Sequence, residues 1–122
     1  MRKSFLIVFS IAGLSLMVFG QDEADYKTWM KSVPPLVGAI RNAPDNDSAD
    51  ATKLSDTFDK MAGFWKAKSA SDAVEFAETA RDAAKAIAAG ADKAGNLQKI
   101  QAQCGACHRA HREGAAPDFK IK

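Results

Sequence analysis

The chain has 122 residues, enough for one domain around one core. Its formal charge is only +2, from 17 Lys and Arg against 15 Asp and Glu. The sequence carries no basic stripe and no interleaving of basic and aromatic residues, so nothing points to nucleic acid as a partner.

The first segment, Met1-Arg2-Lys3, is basic, and an apolar run from Phe5 to Phe19 follows it. Gly20 and then polar Gln21 and Asp22 come next. This order predicts a secretory signal peptide over residues 1–20, cleaved after about Gly20. The run is shorter than the roughly 20 residues that a membrane-spanning helix needs. The lack of a cysteine at its end argues against a lipoprotein anchor. Without Arg2 and Lys3, basic and acidic residues balance, and the mature domain, residues 21–122, is near neutral. The expected location is periplasmic.

Few β-branched residues, much Ala, Lys and Asp, and periods of three and four predict an all-α chain. A first helix is expected from about Asp22 to Arg41, with Tyr26, Trp29, Met30, Val33, Val37 and Ile40 on one face. Pro34 cannot donate to the carbonyl of Met30, so a kink or break is expected there. Residues 42–48 have turn composition. The second helix is expected from about Ala49 to Lys68, with Ala51, Leu54, Phe58, Met61 and Trp65 inward. The third is expected from about Asp72 to Ala89. Ser71 or Asp72 would cap it, with Asp72 and Glu75 at capping-box spacing, and Gly90 would end it. The fourth is expected from about Ala94 to Arg112, ended by Gly114 and Pro117. Short loops between these elements imply an antiparallel up-down-up-down four-helix bundle. The tail, residues 115–122, has no assignable role; Phe119 and Ile121 are the residues able to fold back on the bundle.

Cys104-Gly105-Ala106-Cys107-His108-Arg109-Ala110-His111 holds both cysteines and both histidines of the chain. Cys-x-x-Cys-His is the attachment signal for haem c: each sulfur forms a thioether to a vinyl group, and the adjacent imidazole ligates the iron. Such attachment takes place in exported proteins, in agreement with the leader. Three other readings compete. A thioredoxin-like pair belongs at a helix start in a βαβ unit, which is missing here. A zinc site needs about four ligands, hard to converge from one helix. A disulfide would close a tiny loop and stabilise little.

Alternating helix directions place His108 at the end of the bundle that also holds the start of helix one, the end of helix two and the start of helix three. Tyr26, Trp29, Met30, Phe58, Met61, Phe64, Trp65 and Phe76 are concentrated there. The opposite end, with Leu36, Ile40, Ala51, Ile87 and Leu97, has no aromatic residue. Large flat side chains therefore gather where a large flat cofactor would sit, and Trp29, Met61, Trp65 and Phe76 are its expected packing partners.

A bundle of this size with Cys-x-x-Cys-His near the end of its last helix resembles the class II c-type cytochromes, the cytochrome c′ family, over about residues 22–114. Most other c-type cytochromes carry the motif near their N-terminus. The resemblance implies Cys104 and Cys107 as thioether attachments of one covalent haem c, and His108 as proximal iron ligand. The family places a basic residue four positions after that histidine, and Arg112 matches, beside the haem face or a propionate. His111 departs from the aromatic residue usual in the family; three residues from His108 on one helix, it cannot reach the opposite haem face. Low-spin members take a methionine early in helix one as sixth ligand, the position of Met30, so His108 and Met30 are the expected metal ligands. High-spin members block that face with a bulky apolar residue. Members commonly form homodimers through the first two helices, which this sequence does not decide.

The expected function is single-electron transfer with protein redox partners, without substrate turnover, since no nucleophile–base pair or paired carboxylates are present. The alternative is a five-coordinate haem that binds nitric oxide or carbon monoxide as carrier, scavenger or sensor. A third is a haem-free helical interaction protein with a disulfide.

Overall fold

A computed structural model describes residues 23–43, 48–114 and 120–122. The expected leader, residues 1–20, and Phe119 lie outside the described residues. Four helices dominate: α1 Glu23–Asn42, α2 Ser48–Ala67, α3 Ser71–Ala88 and α4 Lys93–His111. They form an all-α four-helix bundle. A two-stranded antiparallel hairpin follows, β1 Arg112–Glu113 against β2 Lys120–Ile121.

Contacts between helix ends fix the directions. The start of α1 meets the end of α2 where Trp65 Nε1 donates to Tyr26 Oη at 3.0 Å. The start of α3 meets the end of α4 where His111 Nε2 lies 2.9 Å from Asp72 Oδ2. At the opposite end, Lys93 Nζ donates to the carbonyl of Ala43 at 2.8 Å, joining the start of α4 to the end of α1. The helices therefore run up, down, up, down.

Alanine decides how closely they approach. Ala73, Ala77, Ala80, Ala83 and Ala84 of α3 are all buried, and α3 has the most extensive seams, with α2 and with α4. With only a methyl group between backbones, neighbours settle close to α3. By contrast, α1 meets α4 over a short stretch only. The bundle is tight along α3 and open along the α1–α4 seam.

The two short turns share one design. After α3, the N–H groups of Gly90 and Ala91 bond the carbonyls of Ile87 and Ala86, with Gly90 at φ 90°. This is a left-handed helix stop, as the glycine predicts. After α2, Ser69 and Ala70 repeat the pattern onto Lys66 and Trp65, with Ser69 at φ 57°. Serine has a Cβ, so it occupies that region less favourably than glycine does.

Two local expectations need correction. α1 runs without a break through Pro34 and Pro35. Proline already has a helical φ, and both prolines lie on the exposed side, where solvent takes the carbonyls of Met30 and Lys31 that they leave unbonded. Burial of Tyr26, Val33 and Ile40 along one face holds the two halves in line. The capping box of α3 does not form either. The N-cap is Ala70, with no side-chain bond, because Asp72 turns its carboxylate to His111.

Candidate functional site

α4 buries only Leu97 and Ile100, both in its first half. Beyond them it presents Cys104, Cys107, His108 and His111, all half-buried, in place of large apolar residues. The core is incomplete at this end, and a hollow lies there with an empty space of about 400 Å³, including the part open to solvent. All four helices line it: Met30 from α1, Met61 and Trp65 from α2, Phe76 from α3, and Cys104, Cys107 and His108 from α4. A second, outer hollow of about 860 Å³ adjoins it along the α1–α4 seam, sharing Tyr26, Met30, Trp65, Cys107 and His108.

Seven of the nine residues singled out from the sequence thus surround one cavity. Arg112 lines the outer hollow instead. Trp29 lines neither; it packs edge-on to Tyr26, ring centroids 6.4 Å apart, and supports the wall from behind. The two methionines differ. Met61 is buried in the inner wall, whereas Met30 is half-buried and borders both hollows.

The wall is held by a string of contacts through all four helix ends. Asp72 accepts from His111. The His111 ring lies against Trp65, centroids 4.6 Å apart. Trp65 donates to the Tyr26 hydroxyl, and Tyr26 lines the hollow together with Cys107. Phe64 stacks on Tyr26 at 4.5 Å. Sequence reasoning placed Tyr26 at this end without a role, and gave Asp72 a capping role in place of its contact with His111. It gave the tail no role but named Ile121 as able to fold back on the bundle; Ile121 does pack on the core, and with Lys120 it lines the outer hollow.

Electrostatics separate the rival chemistries. Burial pushes the Cys107 thiol up to about 11 and raises Cys104 as well. Both cysteines are free and, at neutral pH, protonated. A thioredoxin-like centre needs the opposite shift, toward thiolate. Among the described residues, no group of three or more His, Cys, Asp or Glu side chains is placed to hold a metal ion, so the donor set of a protein-only zinc site is not assembled. Burial, and then the Arg112 charge, lower the pKa of His108 and keep its imidazole neutral.

His108 Nε2 is the telling atom. It is buried and has no hydrogen-bond partner among the described residues. A buried, unsatisfied acceptor or donor costs about 1–3 kcal/mol and calls for an explanation. A neutral imidazole lining an aromatic hollow, its Nε2 unpartnered, with two free thiols on the same helix face, fits a flat metal macrocycle attached through the thiols. The residues present therefore fit haem c. Among the described residues, no helix is long and apolar enough to cross a membrane. No family model, no curated protein and no solved structure matches the chain.

Proposed function

We propose that this chain is an exported c-type cytochrome of the class II kind that carries single electrons between protein partners. The observation that carries this reading is the buried, unpartnered His108 Nε2 beside Cys104 and Cys107 in an aromatic-walled hollow. Cys104 and Cys107 would hold haem c through two thioethers, and His108 would give its imidazole to the iron. When bound, the haem supplies a ferric–ferrous couple. Met30, bordering both hollows, would offer its thioether to the iron and would then raise the potential. Met61, Trp65 and Phe76 exclude water from the haem. Arg112 sets a fixed positive charge beside His108. The redox chemistry needs no acid, base or nucleophile from the protein. The leader over residues 1–20 would deliver the chain to the periplasm, where such attachment takes place.

Expression with a haem-attachment apparatus tests the reading. One haem per chain, seen as an intact-mass increment and a haemochrome spectrum, supports it, and colourless protein overturns it. Met30→Ala then converts a low-spin six-coordinate spectrum into a high-spin five-coordinate one. A wild type that is already high-spin, unchanged by Met30→Ala, favours the second reading: binding of nitric oxide or carbon monoxide at an open iron. The outer hollow, which reaches Met30 from solvent, supports access for such a ligand.

A further inference from the structure

The outer hollow has an apolar throat and a cationic mouth. Tyr26, Trp65 and Ile121 line the throat, and Lys27, Lys31, Arg112 and Lys120 line the mouth, with no carboxylate among the lining residues. Two of the four cations lie on α1, one turn apart, and two on the hairpin across the seam. Contacts hold strand β2 in place. Arg112 pairs with Ile121 and Glu113 with Lys120, the Lys122 N–H bonds the His111 carbonyl at 3.0 Å, and Ile121 packs half-buried against the core. The cleft is shaped for a flat apolar body that carries acid groups on one edge. Haem is such a body, with two carboxylates.

We propose that strand β2 is part of the haem site: Ile121 covers the macrocycle edge beside Cys107, and Lys120 joins Lys27, Lys31 and Arg112 in holding its carboxylates. The inference rests on the haem reading above and adds to it a wall from beyond α4. Thioether attachment holds the carboxylates at the mouth, so the rim works at high effective concentration. A cation there offsets their charge and disfavours the ferric state; removing it leaves the negative charge to favour ferric iron.

The test uses holoprotein at low salt, with the ferric–ferrous ratio read at a fixed ambient potential. Lys120→Glu shifts the ratio toward ferric about tenfold, equivalent to 59 mV for one electron. Lys120→Gln shifts it by about half as much on a logarithmic scale, a grading that a general folding defect would not produce. Lys53→Glu, at the far end of the bundle, leaves the ratio alone. Carboxypeptidase releases the last residues of Ile121→Asp holoprotein faster than those of wild type. If wild type carries no haem by mass, the functional reading fails and this one with it. If wild type carries haem and the Lys120 variants match it within twofold, this inference alone is overturned.

Discussion

The two ends of the bundle are built on different terms. The largest fully buried side chains, Ile40, Leu54, Ile87 and Ile100, all lie at the end away from His108. They are aliphatic, come one from each helix and line neither of the two hollows. The other end has aromatic rings, thiols and an unsatisfied imidazole around empty space. One end is finished by the chain's own atoms, and the other is held open by hydrogen bonds and ring contacts. The first holds the fully buried aliphatic core and the second the candidate site.

Substitutions break this contrast to different degrees. Ile87→Ala at the closed end opens a cavity in dense packing and lowers unfolding free energy by about 2–5 kcal/mol, read from urea melts. Tyr26→Phe at the open end keeps the ring but leaves buried Trp65 Nε1 without its acceptor; a loss of about 1–3 kcal/mol is expected. It also removes an alkaline effect. Burial pushes the Tyr26 phenol up to about 12, so its contribution is complete below the unfolded value of about 10 and is lost as pH rises through the native one. The wild-type urea midpoint falls more steeply than that of Tyr26→Phe over this range.

Two smaller changes sharpen the comparison. Gly90 turns the chain at the closed end and Ser69 at the open end, in the same left-handed conformation. Ser69→Gly raises stability by about 1 kcal/mol, seen as a higher melting temperature, and makes the two turns alike. Asp72→Asn has the smallest effect. The His111 hydrogen bond holds the Asp72 carboxyl below its usual range, so its contribution is present above the unfolded value of about 4 and disappears as pH falls through the native one. Acid titration of the urea midpoint shows a shallower decline in the variant.

Legibility in the sequence followed the range of the interaction. Helices show as periodicity over neighbours three and four apart, and Gly90 marks a stop within its own turn. Cys104, Cys107 and His108 are contiguous, so their joint presentation needs only one helix. The contacts that shape the surrounding wall span distance: Trp65 meets Tyr26, and His111 meets Asp72, each across 39 residues. Asp72 carried a strong local signal for capping, and a tertiary partner overrode it. Pro34 carried a strong local signal for a break, and burial on both sides of it prevailed. The hairpin strands are two residues each, too short for any period to register.

The double proline leaves a mark that continuity of α1 conceals. Two rungs of the backbone ladder are missing one turn above Met30, in a helix that meets α4 over a short stretch only. Bending the bundle is cheapest there. If the proposed haem is bound, a broad, rigid guest would need a side that yields, and the double proline puts that side next to the Met30 thioether.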